Sequence, residues 1–170
     1  MISWITSEIA LGEFQDVLDC PLENIDTVIS LMETEDEREI QRLKHLGIYY
    51  LWSPIPVLCT EKCETYSRFH SKHLPSCEAH NSACDSCSKG SFALAKHDPF
   101  RRGLNLALDL LEKSVNNGEK VLIHCIAGMD RSPFVVAEYL VRVKNFSSLA
   151  DAYSFIKSKR PQIFEHYEWR

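Results

Sequence analysis

The segment around Cys125 restricts the fold more than any other part of the sequence. An aliphatic run leads into His124 and Cys125, and a short loop with one glycine then leads to Arg131. A continuous run of this kind predicts a buried strand, here over residues 120–123. Residues 134–143 carry apolar side chains at spacings near three and four, which predicts a helix after the loop, with Ser132 and Pro133 in its first turn. The sequence therefore predicts a strand, a tight loop and a helix in that order.

This order of elements suits the binding of an anion. Five residues between Cys125 and Arg131 are enough for backbone N–H groups and a guanidinium to converge on phosphate oxygens. The start of a helix beside an arginine also supplies the positive potential that a cysteine thiolate needs at neutral pH. The pattern therefore indicates phosphoryl transfer to Cys125. The predicted phosphate-binding residues are Ile126, Ala127, Gly128, Met129, Asp130 and Arg131.

The residues of this loop resemble the signature loop of the cysteine-dependent protein tyrosine phosphatase superfamily, most of all its compact dual-specificity branch. The matching pairs are His124-Cys125, Ala127-Gly128, Arg131-Ser132 and Ser132-Pro133. The resemblance implies that Cys125 attacks phosphorus as a thiolate and forms a phosphocysteine intermediate. It also implies that Arg131 holds two phosphate oxygens and that Ser132 hydrogen-bonds the sulfur. His124 is expected to order the loop backbone rather than to act as a base.

The chain as a whole alternates between predicted strands and helices. Strands are predicted at residues 2–5, 9–11, 27–31 and 48–52, and helices at residues 13–18, 35–46, 99–111 and 149–159. Thr34 followed by Glu37 is typical of a capping box, and Gly47 is typical of a helix end. Ser147 or Ser148 is the expected N-cap of the last helix. The alternation predicts an α/β fold with a central, mostly parallel sheet and helices on both faces, as in dual-specificity phosphatases.

The composition indicates one domain over residues 1–170, which by the resemblance is a phosphatase domain. A chain of 170 residues that is 45% hydrophobic has enough apolar material for one core. The sequence has no apolar run of membrane-spanning length and no signal-peptide pattern, so a cytoplasmic or nuclear location is expected. The formal net charge of −5 disfavours nucleic acid as a general partner, because such binding favours a basic face.

Residues 59–97 depart from the compact family members and form a polar, Cys/His-rich insertion. Two short pairs, Cys59-x3-Cys63 and Cys84-x-x-Cys87, have the spacing of a structural zinc site with four thiolate ligands. Free thiols and a redox-active disulfide are the alternatives. No cofactor is expected for catalysis, because a phosphocysteine mechanism needs none. Ligands that could replace one of the two pairs are His73, Cys77 and His80.

The insertion leaves open which residue protonates the leaving group. Asp98 is the first choice because it ends the insertion directly before a predicted helix, although it could equally be the N-cap of that helix. Asp85 lies between two of the predicted zinc ligands. Asp130 directly precedes the signature arginine, which resembles the loops of myotubularin-like lipid phosphatases, where the acid lies inside the loop. Its other expected role is to orient Arg131.

The sequence thus predicts a phosphomonoester hydrolase that acts on phosphoprotein, on Tyr and also on Ser or Thr. One alternative is a phosphate-recognising binding module, or pseudophosphatase, that engages a protein partner through the insertion. Another is an RNA or phosphoinositide phosphatase on the same scaffold, although the loop lacks the Lys typical of sites for highly phosphorylated inositol rings. A basic cluster either forms a solvated helix face or recruits a second phosphate, and it consists of Lys96, His97, Arg101 and Arg102.

Overall fold

The computed structural model describes residues 1–56 and 98–170, in which strands and helices alternate. The strands are β1 (Ser3–Trp4), β2 (Ile9–Glu13), β3 (Thr27–Ser30), β4 (Tyr49–Trp52) and β5 (Val121–Cys125). The helices are α1 (Phe14–Asp19), α2 (Glu37–Leu46), α3 (Asp98–Asn116), α4 (Arg131–Arg142) and α5 (Leu149–Lys159), followed by a 3-10 helix at Tyr167–Trp169. Among the helices in these two stretches, none is both long enough and apolar enough to cross a membrane.

The described strands form one five-stranded sheet in the order β1-β2-β5-β3-β4. β1 pairs antiparallel with β2, and the other neighbouring strands pair in parallel. The register places Cys125 opposite Glu13, and His124 opposite Ser30. The predicted mostly parallel sheet is confirmed. The loop that follows β5 lies at the carboxyl edge of the sheet, where α/β folds bind their ligands.

Helices cover both faces of this sheet, as predicted. Val121, Ile123 and Cys125 of β5 pack in one core with side chains of α3, α4 and α5. Leu122 points to the opposite face, into a second core that includes side chains of α1 and α2 such as Leu43. Both faces of β5 are apolar because both are covered, which is why the strand reads as a continuous apolar run.

The ends of the helices agree with the sequence prediction at two places and differ at one. α2 ends at Gly47, whose φ is 71°, and the Oγ of Ser148 caps α5 by accepting from the Asp151 N–H at 3.1 Å. The predicted capping box at Thr34 is wrong, because α2 begins only after Asp36. The Asp36 carboxylate accepts a hydrogen bond from the Arg38 N–H at 2.9 Å and so satisfies a free donor of the first turn.

A close contact between α3 and the segment after β4 positions that segment at the site. The Oγ of Ser53 donates to the carbonyl oxygen of Gly103 at 2.7 Å. A Cβ atom at Gly103 would lie 2.2 Å from the carbonyl oxygen of Pro54, so a glycine is required for this approach. The contact holds Ile55 beside the carboxyl edge of the sheet.

Candidate active site

Cys125 is the last residue of β5, and only 1% of its surface is exposed. Its Sγ lies 3.5 Å from the Oγ of Ser132 in the first turn of α4. Burial raises the pKa of the Cys125 thiol, but the Arg131 guanidinium and the Ser132 hydroxyl outweigh it, so the pKa is below its ordinary value. Cys125 is therefore suited to act as a thiolate nucleophile.

Arg131 is the first residue of α4, and backbone carbonyl oxygens that follow β3 and β4 hold its side chain. Its Nη1 donates to the carbonyl oxygen of Ile55 at 2.9 Å and to that of Leu31 at 3.3 Å. The Oε1 of Glu33 lies 3.9 Å from the same nitrogen. The side chain is 5% exposed. These contacts orient the guanidinium, which the sequence places close to Cys125, and a fork fixed in this way can bind two phosphate oxygens.

The loop between Cys125 and Arg131 is held in shape from outside. Gly128 has a φ of 63°, and a Cβ atom there would lie 2.4 Å from the carbonyl oxygen of Gly12. No larger residue fits without a shift of one of the two backbones. Two loop carbonyl oxygens accept backbone hydrogen bonds: Ile126 from Phe14 at 3.2 Å, and Met129 from Phe164 at 2.8 Å.

His124 is fully buried and pairs with Glu39 of α2, a residue that the sequence analysis missed. The Nε2 of His124 lies 2.6 Å from the Oε1 of Glu39, and its backbone oxygen accepts from Leu31 N at 3.0 Å. The contacts support the predicted role of His124 in ordering the backbone. One signal for Glu39 was available, because it lies four residues before Leu43 and so shares the apolar face of α2.

Asp130, the third candidate for the general acid, is 4% exposed and pairs with a second residue that the sequence analysis missed. Its Oδ1 lies 2.8 Å from the Nε2 of His166. The His166 ring stacks on Trp169 with a centroid separation of 3.7 Å and an interplanar angle of 4°. The Asp130 carboxylate therefore pairs with His166, so the segment that carries His166 contacts the loop.

Several predicted site residues lie outside the described residues. Asp98 is the first residue of α3, but its side chain is not in the described part of the chain, and neither is Asp85. The predicted zinc ligands Cys59, Cys63, Cys84 and Cys87 also lie outside it, as do the alternatives His73, Cys77 and His80. Within residues 1–56 and 98–170, no group of three His, Cys, Asp or Glu side chains is arranged to hold a metal ion.

A cleft of about 410 Å³ is lined mainly by residues of α3 and of the segment after β4. Arg102, from the predicted basic cluster, lines it together with Glu33, whose carboxylate approaches Arg131. Lys96 and His97 of that cluster lie outside the described residues. The remaining lining residues are Pro54, Pro56, Pro99, Gly103 and Leu106.

Comparison with known proteins connects this geometry to a family. The family model described as the catalytic domain of dual specificity phosphatases matches residues 10–170. The putative tyrosine phosphatase 123R of Invertebrate iridescent virus 6 is 51% identical over 55 residues, which are 32% of this chain and 38% of that protein. The tyrosine-protein phosphatase vhp-1 of Caenorhabditis elegans is 33% identical over 92 residues, which are 52% of this chain and 14% of that protein. The chain thus spans less than two fifths of either relative.

The fold is also similar to that of solved phosphatase structures. The crystal structure of the Cydia pomonella PTP-2 phosphatase aligns with 99% of this chain and 84% of its own, with a TM-score of 0.64 and 18% identity. That likeness concerns the fold, whereas the match to the family model begins within β2 and includes the Cys125 loop and the helices that follow it. The chain belongs to the family of dual specificity phosphatase catalytic domains.

Proposed function

We propose that this protein hydrolyses phosphomonoesters on phosphoprotein, on tyrosine and also on serine or threonine, through a phosphocysteine intermediate. The observation that carries the proposal is the position of Cys125, whose buried thiol lies beside the Ser132 hydroxyl at the start of the loop that leads to Arg131. The pKa of this thiol is below its ordinary value. Family membership and the tyrosine and dual specificity phosphatases among the relatives support a phosphoprotein substrate.

In the first step, the Sγ of Cys125 attacks phosphorus, so that a sulfur–phosphorus bond forms and the ester bond to the leaving oxygen breaks. Arg131 and the loop N–H groups bind the nonbridging oxygens as their negative charge redistributes. The leaving alkoxide or phenoxide takes a proton from a carboxylic acid. No metal or cofactor is needed for this displacement.

In the second step, water attacks the phosphocysteine, and the sulfur leaves as a thiolate. The carboxylate that lost its proton in the first step takes a proton from the water, so inorganic phosphate and the free enzyme result. The Ser132 hydroxyl, 3.5 Å from the sulfur, stabilises the departing thiolate by donating a hydrogen bond.

Asp98 is the carboxylic acid that we assign to the first step. The support for Asp98 is its position at the start of α3. The same helix accepts the hydrogen bond from Ser53 and so holds the segment that carries Ile55 at the site. Asp130 is the candidate whose side chain the structure describes. Its pairing with His166 occupies one carboxylate oxygen, which favours Asp98.

The test of the function is turnover combined with trapping of the intermediate. The wild-type protein should hydrolyse p-nitrophenyl phosphate and phosphotyrosine peptides, and acid quenching should leave one phosphoryl group on the peptide that contains Cys125. The Cys125→Ser variant should lose turnover but still bind tungstate, because the loop and Arg131 remain. Phosphoserine and phosphothreonine peptides, a 5′-phosphorylated RNA and phosphoinositides in the same panel define the substrate class. Appreciable turnover by Cys125→Ser would falsify the covalent mechanism.

We also infer that residues 59–97 bind one structural zinc ion through Cys59, Cys63, Cys84 and Cys87. The support is the spacing of the two cysteine pairs, each of which can present two sulfurs to one tetrahedral ion. A polar segment of this length needs a source of order other than an apolar core, which zinc supplies. The same insertion is the surface through which we propose that a protein partner binds.

A further inference from the structure

Arg160 is a buried charge that the mechanism above does not use. It directly follows α5, and only 2% of its surface is exposed, although arginine is among the residue types that are rarely buried without a partner. Its guanidinium lies against the Cys125 loop, because a Cβ atom at Gly128 would be 2.7 Å from the Nη2 of Arg160. The side chain therefore contacts the loop at its glycine.

The contacts of Arg160 connect the loop to the β1 end of the chain. Its Nε donates to the carbonyl oxygen of Gly128 at 3.0 Å. Its Nη1 donates to the carbonyl oxygen of Met1 at 2.6 Å and to the Oγ of Ser3 at 3.2 Å. Two edges of one planar guanidinium are thus fixed, so the position of the Nε donor is defined.

The direction of the Gly128 carbonyl decides the direction of the next N–H group. In a trans peptide, the C=O and the following N–H point in opposite directions. An oxygen that is turned outward to Arg160 therefore turns the N–H of Met129 to the other side, where an anion cradle needs donors. Backbone N–H groups donate to the loop carbonyl oxygens of Ile126 and Met129, whereas the Arg160 side chain donates to that of Gly128.

We propose that Arg160 is a positioning residue of the phosphate loop: it holds the Gly128 carbonyl outward so that the Met129 N–H is directed at the bound oxyanion. The inference rests on the proposed function of Cys125 and Arg131, and it adds a residue to that site that does not touch the substrate. Replacing Arg160 should therefore weaken oxyanion binding through the backbone.

The positive charge of Arg160 also favours the chemistry proposed for Cys125. Burial lowers the pKa of its guanidinium, and the carboxylates of Asp16 and Glu13 together with the Cys125 thiolate oppose that shift. An arginine stays protonated under such conditions. Arg160 thus lies within electrostatic range of the nucleophile and adds to the positive potential that favours the thiolate.

The experiment compares Arg160→Met and Arg160→Lys with the wild type. Arg42→Met is the matched control, because Arg42 also donates to two backbone carbonyl oxygens, those of Leu18 and Cys20, but on α1 and α2. The measurements are the dissociation constant for tungstate, kcat and KM for p-nitrophenyl phosphate, and the midpoint of thermal unfolding. We expect Arg160→Met to weaken tungstate binding by roughly 10-fold, as for the loss of a charged hydrogen bond.

Arg160→Lys should restore part of that loss, because an ammonium group can still donate to one carbonyl oxygen. Arg42→Met should lower the unfolding midpoint while leaving tungstate affinity and KM unchanged. Equal tungstate affinity in Arg160→Met and the wild type, with both folded, overturns the proposal. Tungstate binding by a wild-type protein without turnover would instead count against the proposed function and leave the role of Arg160 intact.

A measurement on the wild-type protein covers the case in which Arg160→Met does not fold. The amide signals of the loop in a proton–nitrogen NMR spectrum are followed as tungstate is added. Met129 should show a large downfield proton shift, as expected for an N–H that donates to an oxyanion. A Met129 amide signal that tungstate leaves unmoved overturns the proposed direction of this group.

Discussion

The Nε2 atom of His124 and the Oε1 atom of Glu39 lie 2.6 Å apart, although 85 positions separate the two residues in the chain. Both side chains are fully buried, and the Oγ of Ser30 donates to the second carboxylate oxygen at 3.3 Å. The Nδ1 atom of His124 lies 3.4 Å from the carbonyl oxygen of Cys125. The pair therefore joins α2 to the end of β5, which carries Cys125.

Replacing Glu39 by Ala should lower the free energy of unfolding by about 3–5 kcal/mol, because one partner of a buried polar pair is left alone. Urea denaturation measures this loss. The matched control is Glu37→Ala on the same helix, where an exposed carboxylate accepts from Gln41 and the change should stay within about 0.5 kcal/mol. Similar values for the two variants would show that the His124–Glu39 contact contributes little.

Arg131→Lys should reduce kcat by roughly 10²–10³-fold, because an ammonium group cannot reproduce a two-pronged contact to phosphate oxygens. Steady-state kinetics with p-nitrophenyl phosphate measures the effect. Arg142→Lys, at the last turn of the same helix, changes an arginine whose Nε donates to Glu138, and should leave kcat unchanged. Near-normal kinetics in Arg131→Lys would mean that the phosphate is held elsewhere.

Ser132→Ala should shift the reactivity of Cys125 to higher pH. Burial raises the pKa of the Cys125 thiol, while Arg131 and the Ser132 hydroxyl lower it, so removing the hydroxyl moves the pKa upward. The thiolate fraction at a given pH below the pKa then falls. Alkylation of Cys125 by iodoacetate, followed peptide by peptide across pH, should show its midpoint displaced upward. In Ser158→Ala, which removes an exposed hydroxyl, the midpoint should not move.

Leaving-group dependence separates the three candidates for the general acid, Asp98, Asp130 and Asp85. Asn in place of the true acid should slow hydrolysis of phenyl and alkyl phosphates by roughly 10²–10⁴-fold and spare esters whose leaving group departs unaided. We expect this of Asp98→Asn. A residue that only caps a helix instead costs about 1 kcal/mol of stability and affects all substrates alike. An unchanged rate ratio in Asp98→Asn would remove Asp98 from the mechanism and leave the role to Asp130 or Asp85, whose Asn variants are tested in parallel.

The purified protein should contain about one zinc ion per chain, as expected for a site with four cysteine ligands. The measurement is elemental analysis after purification under reducing conditions without chelators. A double variant, Cys84→Ser with Cys87→Ser, should lose the metal, while Cys20→Ser, a change outside residues 59–97, should retain it. Metal-free protein from such a preparation would leave the cysteine pairs without the proposed role.

Local sequence patterns predicted the elements that carry the site. The strand before Cys125, the helix after the loop, the end of α2 at Gly47 and the cap at Ser148 follow from signals within a few residues of each other. The helix after the loop begins at Arg131, so Ser132 and Pro133 lie in its first turn, as their residue types indicated. Thr34 was predicted as the cap of α2, whereas Asp36 caps it; both residue types are acceptable caps, so residue type alone does not identify the helix start.

By itself the sequence determined the family and the α/β arrangement, and it predicted Cys125 as the nucleophile and Arg131 as the phosphate-binding residue, because each depends on residues that are adjacent or regularly spaced along the chain. Only the tertiary structure decided how the loop is held. Ile55 reaches Arg131 across 76 positions, His166 reaches Asp130 across 36, and Arg160 reaches Gly128 across 32. These contacts join chain segments that meet only at the carboxyl edge of the folded sheet, and no local pattern encodes which distant partner satisfies a buried polar group there.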